Sequence, residues 1–175
     1  KVTNPLSNRR LNYNGAMLIN QRGDSSNISA FSSYYGPDRY FSQGNASLNG
    51  TWNIGQSTDV PDGYGFKYSL SYDCVATTSN ANRYLMTVYR MEGVDCQLLN
   101  YGTANAKTVT LSFWIKCNKA GNFQVNFENE QNPDAGYQTQ QTINSAGQWE
   151  KKVVTIPGDT TKALTFGTQK AFCFD

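Results

Sequence analysis

Apolar residues recur at every second position in several short runs of this chain. Phe66, Tyr68, Leu70, Tyr72 and Cys74 share one parity, with Lys67, Ser69, Ser71 and Asp73 between them. Successive strand side chains point to opposite faces, so the run predicts a half-buried strand. Val109, Leu111, Phe113 and Ile115 alternate in the same way with Thr110, Ser112, Trp114 and Lys116. After the turn Lys119-Ala120-Gly121-Asn122, the pattern resumes at Phe123, Val125 and Phe127. Two such runs around a short turn predict a β-hairpin. Tyr137, Thr139, Gln141 and Ile143 alternate more weakly, and Trp149, Lys151, Val153 and Thr155 follow the turn Ser145-Ala146-Gly147.

Other segments are less regular. Tyr84, Leu85, Met86, Val88, Tyr89 and Met91 are apolar at both parities, which fits a strand covered on both sides, with a short helix as the alternative. Ala16, Met17, Leu18 and Ile19 predict a short strand ending at Asn20-Gln21-Arg22-Gly23, and Thr51-Trp52-Asn53-Ile54 another. Gly36-Pro37-Asp38, Asn49-Gly50, Pro61-Asp62-Gly63 and Pro157-Gly158-Asp159 are turn signals. The sum is about seven to nine short strands without a long helix, an all-β, antiparallel β-sandwich or jelly roll. No repeat or linker interrupts residues 1–175, so one domain is expected. The chain does not start on Met and ends on Ala171-Phe172-Cys173-Phe174-Asp175, so the domain is expected to be part of a longer chain.

Composition sharpens this picture. Hydrophobic residues are 38% and charged residues 16% of the 175, while aromatics reach 13% with 11 Tyr. That mixture suits strands joined by polar turns. A net charge of +2 without charge blocks gives no electrostatic footprint for nucleic acid. No apolar run approaches the roughly 20 residues of a membrane-spanning helix, and the first ten residues are too polar for a secretory signal.

Candidate chemistry is sparse. There is no His, which removes Ser-His and Cys-His nucleophiles, and no phosphate-cradling glycine loop. The four cysteines, Cys74, Cys96, Cys117 and Cys173, form no CxxC pair, so neither zinc nor any other cofactor is expected. Buried free thiols are the simplest reading, although four cysteines allow three disulfide pairings. Glycoside hydrolysis needs two facing carboxylates. Glu128 and Glu130 share a parity, but solvated carboxylates are the ordinary reading of such residues. Asp134 and Asp159 could each supply one calcium ligand, yet both sit in turn sequences. Arg22-Gly23-Asp24 spells an integrin-type tripeptide and reads as a turn. Asn27-Ile28-Ser29, Asn45-Ala46-Ser47 and Asn49-Gly50-Thr51 match the glycosylation triplet, as expected by chance in an Asn-rich chain.

The aromatic excess is the strongest binding signal. Aromatic faces stack on sugar rings while amides and carboxylates bind hydroxyls. Trp114 lies on the polar side of its strand, and Tyr34, Tyr35, Tyr64 and Tyr137 fall in loop sequence. These five are the candidate glycan contacts; packing at a sheet edge or subunit interface is the competing reading for each.

Four segments together resemble a recurrent module of tailed-bacteriophage virion proteins, found in tail fibres and related appendages and described as carbohydrate-binding-module-like. They are Asn14-Gly15-Ala16-Met17-Leu18-Ile19-Asn20-Gln21-Arg22-Gly23, then Gly36-Pro37-Asp38-Arg39-Tyr40, then 106–116, and finally Trp149-Glu150 with Val154–Thr160. The second departs from the family by carrying Tyr40 where the family has Trp. The resemblance implies a jelly roll on the surface of a virion (a tail fibre, head fibre or capsid decoration), further strands beyond Asp175, and contact with host-surface glycans. It transfers no catalytic residue. Arg22, Asp38 and Arg39 are expected to be structural, with both guanidiniums bonded to carboxylates or backbone carbonyls. The expected partners are other virion proteins, copies of the same chain (a trimer, for example) and a host glycan. The alternatives are a dedicated carbohydrate-binding adhesin and, last, a polysaccharide-degrading enzyme.

Overall fold

The computed structural model describes residues 11–29, 32–44, 50–77, 84–129, 136–164 and 170–174. Glu130, Asp134, Asn45 and Asn49 lie outside them, so the readings attached to those residues have no structural counterpart here. The described residues form eleven strands and one helical turn. The strands are β1 (Ser25–Ile28), β2 (Ser32–Ser33), β3 (Tyr40–Gly44), β4 (Gly50–Ser57), β5 (Ser69–Thr77), β6 (Leu85–Glu92), β7 (Val109–Ile115), β8 (Gly121–Glu128), β9 (Tyr137–Ile143), β10 (Glu150–Ile156) and β11 (Lys170–Phe174). The helical turn α1 (Gly93–Cys96) and a following 3-10 turn join β6 to the loop before β7.

All strand pairing among the described residues is antiparallel. One sheet of six runs β2-β3-β6-β11-β8-β9, a sheet of three runs β1-β4-β5, and β10 pairs with β7 alone among the described residues. The fold is therefore all-β and sandwich-like. β3 and β6 become neighbours by skipping the β4–β5 hairpin, so the chain changes sheets between them.

One core lies between the layers. Tyr40, Tyr89, Met91, Val125 and Phe127 of the six-stranded sheet cluster with Val154 and Ile156 of β10, and with Cys96, Leu99, Tyr101 and Leu164 from the loops. Val109, Leu111 and Phe113 of β7 pack against that cluster. Burying a large apolar side chain contributes about 1.5–3 kcal/mol, so this cluster is the main favourable term. Tyr89 is fully buried, and its hydroxyl is satisfied by accepting from Tyr13 N at 2.7 Å. Ser42 on β3 and the Tyr72 hydroxyl on β5 share a hydrogen bond of 2.8 Å, a polar tie between the six- and three-stranded sheets. Burial holds the Tyr72 hydroxyl above its ordinary pKa.

Three sequence expectations are corrected. No β7–β8 hairpin forms: β7 pairs residue for residue with β10, and β8 pairs with β9 and β11. The reason is that β7 and β8 bury the same parity against each other. The Phe113 and Phe123 rings meet edge-on at 6.2 Å, placing the two strands in facing layers. Ala16–Ile19 is not a strand, because Asn14 and Met17 adopt left-handed backbone (φ 59° and 54°), which winds the segment into turns. Leu18 and Ile19 are consequently exposed. The alternating run from Phe66 enters a strand only at Ser69; residues 66–68 are irregular and sit at the end of a long loop.

The thiols match the expectation in part. Cys74, Cys96 and Cys117 are free, but only Cys96 is buried; the other two are half-buried. Burial pushes the Cys96 thiol up to about 11, with Asp95 adding to the effect.

Candidate functional site

The β7–β10 ribbon has a buried face and an open one. Val154 and Ile156 point into the core, while Lys151, Val153 and Thr155 are exposed. In an antiparallel pair, opposed residues project to the same side. Trp114 opposes Lys151, Ser112 opposes Val153 and Thr110 opposes Thr155, so Trp114 emerges on the open face. It is half-buried there because a loop folds over it.

That loop joins β4 to β5. Its turn residues Pro61, Asp62 and Gly63, the last at φ 79°, deliver Tyr64 to Trp114. The two rings are tilted by 54° with centroids 4.4 Å apart, and Tyr64 remains 60% exposed. Asp59 anchors the same loop. Its Oδ1 accepts from Trp149 Nε1 at 2.9 Å and its Oδ2 accepts from Lys116 Nζ at 2.5 Å. Its carbonyl oxygen accepts from Ser69 Oγ at 2.7 Å. The Lys116 ammonium also stands 6.0 Å from the centre of the Trp149 ring. The bonds from Lys116 and Trp149 hold the Asp59 carboxyl below its usual range. An exposed aromatic pair thus sits beside a polar triad, a combination suited to stacking on one face of a sugar while bonding its hydroxyls. Trp149, Asp59 and Lys116 were not among the sequence candidates. Trp149 carried a signal, as the first residue of an alternating run; Asp59 carried none.

The five candidate aromatics do not form one platform. Tyr34 meets Phe41 edge-on at 5.0 Å, with the Arg22 guanidinium 5.3 Å from its ring centre. Tyr35 is half-buried in the adjoining turn. Tyr137 is not in a loop: it opens β9 opposite Phe127. There it lines a cavity of about 200 Å³ with Tyr101, Ile156, Pro157 and Asp159. Tyr64 and Trp114 are the two candidates that the fold brings into contact.

No known protein family, curated protein or solved structure matches this chain.

The three motif residues expected to be structural are all engaged. Asp38 Oδ1 accepts from Arg22 Nη1 at 3.3 Å and from Gln21 N at 3.2 Å. Arg39 Nη1 lies 3.6 Å from Glu92 Oε1, and its guanidinium stands over the rings of Tyr13 and Tyr89 at 5.7 and 5.8 Å. Its backbone is left-handed at φ 80°, an uncommon state for a long side chain and one held here by those contacts. In the Arg22-Gly23-Asp24 tripeptide, Asp24 Oδ1 accepts from Gln56 N at 2.9 Å and Asn20 Nδ2 at 2.8 Å. Both charged ends are therefore bonded within the chain at its surface, in agreement with turn chemistry.

The remaining carboxylates have local duties. Asp159 Oδ1 accepts from Thr161 N, Thr161 Oγ1 and Lys162 N at 2.7, 2.8 and 3.0 Å, which is a turn and not a calcium ligand set. Among the described residues, no cluster of three metal-binding side chains occurs. Glu128 is exposed on β8.

Proposed function

We propose that the chain is a non-catalytic structural module of a bacteriophage virion surface, of jelly-roll type, that touches host-surface glycans through Tyr64 and Trp114. The observation that carries the glycan contact is the exposed Tyr64 ring packed on Trp114 beside the Asp59–Lys116–Trp149 triad. The virion assignment rests on the four resembling segments. Their placement supports treating them as one design, because they meet in pairs: 14–23 joins 36–40 through Asp38, and 106–116 joins 149–160 as β7 and β10. The scatter of the other aromatic candidates favours a structural module with one small contact over a dedicated adhesin with a broad platform.

The test is a glycan array probed with the purified protein beside Tyr64→Ala and Trp114→Ala. Binding that both variants lose while remaining folded supports the reading. Binding that survives both substitutions moves the contact elsewhere. Binding by none of the three removes the glycan role and leaves the aromatic pair as an assembly contact.

A further inference from the structure

Three lysines, Lys116, Lys151 and Lys67, and two carboxylates, Asp59 and Asp62, stand around the aromatic pair. The open face of the β7–β10 ribbon presents Thr110, Ser112 and Trp114 from β7, with Lys116 just past its end, and Lys151, Val153 and Thr155 from β10. It carries two lysines and no carboxylate of its own. One lysine, Lys116, is neutralised by Asp59. Lys151 is exposed and directly opposes Trp114, which puts their Cβ atoms about 5 Å apart. Lys67 and Asp62, in the loop that carries Tyr64, are both exposed and offset each other in charge. Glu150, the nearest acid in sequence to Lys151, turns away to bond Asn144, Ser145 and Lys152.

We infer that the Tyr64–Trp114 face takes an acidic saccharide, with the sugar ring on the aromatic pair and its carboxylate on Lys151. This rests on the glycan reading above and narrows it to one ligand class. An ammonium beside a stacking surface rewards a carboxylate with a charge-assisted hydrogen bond. A neutral sugar offers that donor only a hydroxyl oxygen, a weaker acceptor than a carboxylate. Asp59 meanwhile holds Lys116 in place, so Lys151 is the residue that separates acidic from neutral ligands.

The test is titration of the protein with oligogalacturonate, oligomannuronate and sialyllactose, each beside its carboxyl-reduced form. At least one acid form is expected to bind about tenfold more tightly than its reduced counterpart, with affinity falling as salt rises. Lys151→Ala and Lys151→Glu are expected to erase the difference, and Lys151→Arg to keep it. Lys151 is exposed, so all three variants should fold, which thermal unfolding verifies. Equal binding of acid and reduced forms, or selectivity that survives Lys151→Ala, overturns the acidic specificity and leaves the glycan reading standing. Failure of every acid form while neutral glycans bind on an array does the same. Failure of all glycans overturns both.

Discussion

Asn14 donates through Nδ2 to the carbonyl oxygen of Asp38 at 3.0 Å, joining two turns that lie 24 residues apart. The same amide donates to Ile19 O at 2.8 Å, and its Oδ1 accepts from Ile19 N at 2.9 Å. Asp38 N in turn donates to Ile19 O at 2.9 Å. One side chain thereby replaces the strand pairing that the segment lacks, and its left-handed backbone suits Asn better than most residues.

Asn14→Ala is therefore expected to cost about 2–3 kcal/mol, from three lost hydrogen bonds and a less tolerant backbone position. Asn14→Asp keeps the acceptor toward Ile19 N but sets a carboxylate oxygen against the carbonyl oxygens of Ile19 and Asp38, so at neutral pH it should cost at least as much as Asn14→Ala. Urea unfolding of the three proteins measures this. Equal stability of wild type and Asn14→Ala would show that the amide does not hold the two turns together.

What the sequence revealed and concealed divides along one physical line. Alternation is local, and β7 and β10 lie within the segments it marked. Pairing is non-local: the alternation of β7 says which face is buried but not which strand lies beside it, and the short turn before β8 favoured the wrong neighbour. Turn chemistry overrode an apolar run at Ala16–Ile19, because the left-handed residues Asn14 and Met17 cannot continue a strand. Trp114 was legible as an aromatic on the polar parity of its strand, and Tyr64 as an aromatic in loop sequence. Their contact was not, nor was the bond from Trp149 to Asp59, which spans 90 residues. Only the folded loop brings those partners together.

Glu150 provides a pH-dependent element at the base of the same ribbon. Bonds from Lys152, Ser145 N and Asn144 pull its carboxyl down to about 2. A carboxylate depressed in the folded state adds stability above its unfolded pKa and loses it as pH falls through the folded one. Wild type is expected to lose stability progressively from about pH 5 toward pH 2. Glu150→Gln should be less stable at pH 7 and show a shallower decline across that window. Thermal melts at several pH values check both; parallel curves would mean that the Asn144–Ser145 turn forms without the charge.

Asp59 separates anchoring of the loop from stability of the fold. It is largely exposed, so its ion pair with Lys116 should add less than about 1 kcal/mol. Asp59→Ala is expected to leave the unfolding midpoint nearly unchanged at neutral pH. Its effect should appear instead in the surroundings of Trp149, whose Nε1 loses its acceptor, and in the hold on Tyr64. Tryptophan emission should shift, and glycan affinity should fall because the loop carrying Tyr64 is no longer tied to the ribbon. Asp59→Asn retains an oxygen for Trp149 Nε1 while releasing the charge on Lys116. It should therefore keep the emission of wild type and recover part of the affinity. A large loss of stability in Asp59→Ala would instead make the residue a structural bolt between the β4–β5 loop and β7–β10. Unchanged affinity with altered emission would show that Tyr64 is held by Trp114 alone.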